Sequence, residues 1–240
     1  MAKSLLTDKK AHGEQYFTVK VQNGSEVKKL TVPVTVVTKQ INTDDELTAL
    51  KPADGTDLYG YYTLGDNVAN TKLAKTIYWN WTTRFMGTLD GRGYTITTAA
   101  NGQAGIFHEL WEATIKNVTI ECIYRSDAGN NIFGRGVRHT KFTNVKLIAT
   151  KDSEYKPYGN DHRGWLAEQQ FNNNTLTDVT IEDVNGNGSL FGQNFYDNTF
   201  SNVVVKGNYD ELGYTNTKES ISETNKNVPE GISVNPQIAR

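Results

Sequence analysis

The sequence predicts an all-β chain whose body is a right-handed parallel β-helix of about five coils, and three observations carry that prediction. A four-residue block recurs as Gly93-Tyr94-Thr95-Ile96, Asn117-Val118-Thr119-Ile120, Asn144-Val145-Lys146-Leu147, Asp178-Val179-Thr180-Ile181 and Asn202-Val203-Val204-Val205, with first positions 24, 27, 34 and 24 residues apart. Apolar columns accompany it. Ile115, Phe142, Leu176 and Phe200 stand two places before the last four blocks, and Phe107, Phe133, Leu166 and Phe191 stand eight to ten places earlier still. Finally, 21 glycines and many Asn, Thr and Ser residues suit turns and strands rather than helices.

The first position of the block takes only Gly, Asn or Asp, which tolerate a left-handed or bridge conformation that β-branched residues resist. Such a residue turns the chain sharply between two short strands while both keep their apolar side chains inward. Stacked coils then set each strand in parallel register about 4.8 Å above the last, with right-handed connections. The turn asparagines can hydrogen-bond to their counterparts in adjacent coils, offsetting the cost of an inward polar group. An antiparallel sandwich of the same segments would need short hairpin turns and gives no reason for one slot to recur at coil-length spacing.

In chain order, residues 16–37 read as two strands joined at Asn23-Gly24. Phe17, Val19 and Val21 alternate with polar neighbours, Leu30, Val32, Val34 and Val36 alternate on the return, and Pro33 lies out of phase, as an edge strand permits. An isolated two-stranded hairpin is marginal in water, so this one is expected to be the remnant of something larger. Thr43-Asp44-Asp45-Glu46 is a capping box followed by Leu47 and Leu50, predicting a short helix over about 44–50 that covers the apolar end of the solenoid.

Two resemblances follow from these motifs. Gly87-Thr88-Leu89-Asp90-Gly91-Arg92-Gly93-Tyr94-Thr95-Ile96 resembles the segment that opens pectin-lyase-like β-helix regions of large bacterial surface proteins, with Leu89 in place of the usual phenylalanine. Asp45–Leu50 and Gly60–Leu64 look like the helix and first strand of the same families. The strands around Tyr16-Phe17-Thr18-Val19 and Leu30-Thr31-Val32 are similar to the last two strands of bacterial immunoglobulin-like domains, whose corner tyrosine follows a glycine as Tyr16 follows Gly13. The implied organisation is 1–40 as the end of an immunoglobulin-like domain, 41–212 as the β-helix and 213–240 as a linker or the start of a further domain. It also implies an extracellular or cell-surface setting, with covalent neighbours in a larger chain.

The formal net charge of −2 and the pI near 6.1 give no electrostatic reason to expect nucleic acid or an anionic membrane as partner. No run of eighteen apolar residues exists, so no membrane-inserting helix is expected. Met1–Lys10 lacks the apolar core of a signal peptide, and with the abrupt hairpin start this suggests that Met1 is not the native start. The lone Cys122 shares the phase of Val118 and Ile120 and reads as a small core residue rather than a nucleophile.

Candidate chemistry lies in two excursions from the coil, Tyr124–Asn130 and Thr150–Gly164. Both leave after the third strand of successive coils, so stacking should set them side by side. They offer Tyr124, Arg125, Asp127, Tyr155, Tyr158, Asp161, His162 and Arg163. Aromatic faces beside carboxylate and guanidinium groups are what sugar recognition requires, although solvated loops with tyrosines packed on the wall explain the same residues. Trp79 and Trp81 share one strand face with the same ambiguity. Glycoside hydrolysis needs paired carboxylates, for which Asp127, Asp152, Glu154 and Asp161 are available, and lyase chemistry could use Arg125 or Arg163, yet no family catalytic motif is matched. Asp183–Gly188 matches half of a calcium loop but reads better as a glycine-rich turn. His162 has no second histidine nearby, and His139 is expected to be an exposed turn residue. Neither metal nor cofactor is expected. The leading functional expectation is a non-enzymatic adhesin-like or glycan-binding module, with carbohydrate or a host glycan as partner; a polysaccharide lyase or hydrolase beside residues 150–164 is the alternative, and a trimeric phage tail-spike segment a weaker one.

Overall fold

A computed structural model of the protein describes residues 12–50, 58–70, 84–100, 106–107, 109–124, 132–151, 166–167, 169–183, 190–191, 194–206 and 227. Alternating apolar residues on either side of Gly24 give the antiparallel pair β1 (Gly13–Asn23) and β2 (Glu26–Val36), in register from Gly13 opposite Val36 to Asn23 opposite Glu26. Gly24 has φ 59 and is the first residue of the two-residue loop Gly24-Ser25, the place where this hairpin geometry demands glycine. Then β3 (Lys39–Ile41) begins the solenoid, and α1 (Asp44–Thr48) follows it.

The helix ends earlier than the expected Leu50, and its capping differs by one residue from a standard box. Thr43 Oγ1 accepts from the Glu46 N–H at 3.2 Å, while Glu46 Oε2 accepts from the backbone N–H of Asn42 at 2.6 Å rather than from that of Thr43. That hydrogen bond from Asn42 holds the Glu46 carboxyl below its ordinary value. Leu47 and Leu50 are buried in the same core as Ile41 and Leu64, so the helical turn covers the first coil as expected.

The remaining strands stack in parallel. They are β4 (Tyr61–Leu64), β5 (Val68–Asn70), β6 (Thr88–Asp90), β7 (Thr95–Ala100), β8 (Glu109–Trp111), β9 (Thr114–Tyr124), β10 (Gly136–Arg138), β11 (Lys141–Lys151), β12 (Gln170–Asn172), β13 (Thr175–Asp183), β14 (Phe195–Tyr196) and β15 (Thr199–Lys206). A long sheet runs β3-β4-β6-β9-β11-β13-β15 with β5 and β7 alongside, and a second runs β8-β10-β12-β14. The result is an all-β parallel β-solenoid of about four turns, with the hairpin at its N-terminal side.

Every slot residue is left-handed: Gly93 at φ 90, Asn117 at 51, Asn144 at 52, Asp178 at 54 and Asn202 at 51. Both apolar columns are buried, and Phe171 and Phe195 join Phe191 and Phe200 of the columns in one aromatic stack with centroids 4.8–6.1 Å apart. Cys122 lies in the core at 1% exposure. The polar ladder, however, is not inward. Asn117 is half-buried and Asn144, Asp178 and Asn202 are exposed, because a left-handed residue at a corner throws its side chain outward. The inward polar groups belong to a second turn, five residues ahead of each of the last four slots, where Glu112, His139, Asn173 and Asp197 are also left-handed. The residue after each is fully buried: Ala113, Thr140, Asn174 and Asn198. Asn174 Oδ1 accepts from the Thr140 N–H at 2.9 Å, Asn198 Oδ1 from the Asn174 N–H at 3.0 Å, and their amide nitrogens donate to the carbonyls of Val137 and Phe171. Buried amides thus satisfy backbone groups that the turn leaves unpaired.

Candidate functional site

Alternation along the short strands sends Leu110, Val137, Phe171 and Phe195 into the core and their neighbours outward. Parallel register then lines up Trp111, Arg138, Asn172 and Tyr196 as one outer row across β8-β10-β12-β14. Arg84, just before the bridge residue Phe85, adds a further guanidinium at the N-terminal side of that row. The Trp111 ring lies between two cations, with the Arg84 guanidinium carbon 4.9 Å and the Arg138 guanidinium carbon 4.7 Å from its centroid. Each such contact is worth about 0.5–1 kcal/mol where partly exposed.

Arg138 is oriented further by Glu109, whose Oε1 accepts from Nη2 at 3.2 Å. Its Nε is buried without a hydrogen-bond partner. Trp111 Nε1 donates to Glu112 at 3.4 Å, and the His139 ring sits 5.7 Å away. Trp111, Arg138 and Tyr196 are half-buried while Asn172 is buried, so the row offers guanidinium N–H groups, an indole edge and a phenol. Hydroxyl and carboxylate groups can be gripped there, although the indole faces themselves are taken.

A second cluster forms on the long sheet, where Asp90 sits opposite both Thr63 and Lys116. The Tyr61 hydroxyl donates to Asp90 Oδ2 at 2.6 Å, while Asn117 Nδ2 and the Arg92 N–H both donate to Oδ1 at 3.1 Å. Lys116 Nζ lies 3.6 Å from Oδ2 and 5.2 Å from the Tyr61 ring centroid. Burial alone would raise the Asp90 carboxyl, but the hydrogen bonds from Tyr61, Asn117 and Arg92 and the charge of Lys116 outweigh it and hold the group below its usual value. Burial, reinforced by the bond to Asp90, raises the Tyr61 phenol. Lys116 is lowered by burial but raised on balance by Tyr61, Asp90 and Glu14. A nucleophilic amine or phenolate would need the opposite shifts, so these groups act as a clamp. They explain the Gly-Thr-Leu-Asp-Gly motif: Asp90 ties three elements, and Gly91 leaves room for the next coil, since a Cβ there would lie 2.6 Å from Asn117 O.

Of the residues singled out from sequence, Tyr124 ends β9 and pairs in register with Lys151, the end of β11, so the two excursions leave the wall at adjacent points. Arg125, Asp127, Tyr155, Tyr158, Asp161, His162 and Arg163 lie outside the described residues, as do Trp79, Trp81, Asp152, Glu154 and most of the Asp183–Gly188 turn. His139 is the exposed turn residue expected of it. Sequence reasoning missed the Arg84–Trp111–Arg138 row. Its members stand 27 residues apart, and the only signal was the spacing already seen between Asn117 and Asn144.

Among the described residues, no three His, Cys, Asp or Glu side chains come together as a metal set, and no helix is long and apolar enough to cross a membrane. No protein-family model matches the chain, nor does any curated protein or solved structure.

Proposed function

We propose that this chain is a non-enzymatic cell-surface module, an adhesin-like β-solenoid that holds glycans on its outer wall. The observation that carries the reading is the in-register row in which Trp111, Arg138 and Tyr196 are accessible and Arg84 flanks them, a strip of planar donors and rings presented from strands. Rigid presentation favours recognition, because little side-chain freedom is left to lose on binding. Tyr124, Arg125, Asp127, Tyr155, Tyr158, Asp161, His162 and Arg163, singled out from the sequence, are proposed as further glycan contacts. The resemblances to pectin-lyase-like regions and to immunoglobulin-like strands support the surface setting. The inert directions of the Asp90, Tyr61 and Lys116 shifts argue against using that cluster for lyase or hydrolase chemistry.

A glycan array probed with the whole chain tests this, followed by titration of any hit against Trp111→Ala and Arg138→Gln. Binding that either substitution weakens tenfold or more supports the site. An empty array with folded protein leaves a plain spacer, and unsaturated products from uronate polymers make the chain a lyase.

A further inference from the structure

The hairpin carries most of the large apolar side chains that the described residues expose, including Leu30 at 53% and Val19 at 44%. Five of them, Val19, Val21, Leu30, Val32 and Val34, share one face with Phe17, while Tyr16 and Val27 lie on the other with Thr18, Lys20, Lys29 and Thr31. Among the described residues only the base is anchored to the solenoid: Gly13 is buried, with its Cβ position 3.4 Å from the Tyr61 ring, and the Thr38 N–H donates to Tyr61 O at 2.7 Å. The apolar face is therefore held out from the coil stack, and an exposed contiguous patch of this kind marks an interaction surface.

Its charge narrows the occupant. The only ionisable side chains on that face are Glu26 and Lys28, opposite in sign and 3.6 Å apart, so the face is neutral. A polyanion, an acidic peptide or a lipid headgroup finds no counter-charge there, whereas an identical face offers a flat apolar stripe of the same length. We propose that a second copy of this chain covers it, two hairpins packing apolar face to apolar face about a two-fold axis as a four-stranded sandwich. Such a contact is isologous, each copy giving and receiving the same stripe. A ribbon of this length is about 37 Å by about 10 Å, so pairing two of them covers roughly 740 Å² of the two faces together, below a standard stable interface and in the range of a weak, transient one. The dimer should dissociate on the order of micromolar concentrations. None of this rests on the glycan reading.

Sedimentation equilibrium of the whole chain, from sub-micromolar to about a hundred micromolar, should show the mass rising from one chain to two. Leu30→Glu should return it to one chain with the melting temperature unchanged, because Leu30 is half exposed and outside the core. Mild oxidation adds a check that does not depend on that variant, since the native Cys122 is buried. Val19→Cys or Leu30→Cys should be captured as a covalent dimer, and Lys20→Cys on the opposite face should not. A monomer at every concentration overturns the proposal and leaves the face to other strands. A trimer overturns it in favour of a tail-spike arrangement, and equal capture at positions 19 and 20 overturns it in favour of edge-to-edge pairing.

Discussion

At the outer corner of the solenoid the turn amides point one way. Asn117 Nδ2 donates to Asp90, Asn144 Nδ2 donates to Asn117 at 3.0 Å, and Asn202 Nδ2 donates to Asp178 at 2.7 Å. The order breaks between Asn144 and Asp178, because the Asp178 carboxylate has no N–H to offer the Asn144 side-chain carbonyl below it. Asp178→Asn should close the gap and raise stability by about 0.5–1 kcal/mol; a thermal melt that is unchanged or lower contradicts this. The buried ladder is worth more. Asn174→Ala orphans the Thr140 N–H and the Val137 carbonyl, at about 1–3 kcal/mol each, whereas Asn144→Ala acts on an exposed pair and should cost less than about 1 kcal/mol. Denaturant unfolding of both variants checks the ranking. The outer slot was legible in the sequence because so few residues accept its backbone conformation. The inner turn was not, since Glu112 and His139 adopt a left-handed φ against their preference, at about 1–2 kcal/mol apiece. What holds them there is backbone: the Glu112 N–H donates to Arg138 O and the His139 N–H to Asn172 O, both at 3.1 Å.

Elements join the stack through close approach and a clamp. Gly91 lies against the next coil, so Gly91→Ala must push β9 away or shift Val118, at about 1–3 kcal/mol. Gly93 has open space around its Cβ position and only a left-handed φ to defend, so Gly93→Ala should cost about 1 kcal/mol. Equal losses in chemical denaturation would contradict the packing account. The clamp at Asp90 predicts a pH dependence. Its folded pKa is depressed, so its contribution is present above the ordinary aspartate value and is lost as pH falls through the folded one. Lys116 and Tyr61 are raised, so their contributions hold below their ordinary values and fade as pH rises through the folded ones. Stability should therefore be flat from weakly acidic to weakly alkaline pH, and Asp90→Asn should flatten the acid limb; an acid limb as steep as the native one means that other carboxylates carry it. The glycine-rich turn around Asp90 was readable in the sequence, but its role as a junction depends on Tyr61 and Lys116, which only the register β4-β6-β9 brings together.

For the whole molecule, each coil touches mainly its neighbours, so the fold follows from repeating one unit in register. That is why the core was legible: a column of inward Ile, Val, Leu and Phe needs only correct spacing, and coil-length variation between columns does no harm. The outer wall escaped notice for the complementary reason. Solvent-facing positions carry no periodic constraint, so Arg84, Trp111 and Arg138 become neighbours only once coils are stacked. The parallel stack is the central claim, and cross-strand nuclear Overhauser contacts test it most directly. Antiparallel pairs bring opposed α-protons together at alternate positions, whereas parallel pairs do not. Strong α-proton contacts should appear between β1 and β2, where Tyr16 faces Pro33 and Thr18 faces Thr31, and should be missing between β9, β11 and β13. There, amide contacts should instead link Val118, Val145 and Val179 in that order. Strong opposed α-proton contacts among those three strands would mean an antiparallel sandwich and would contradict the solenoid.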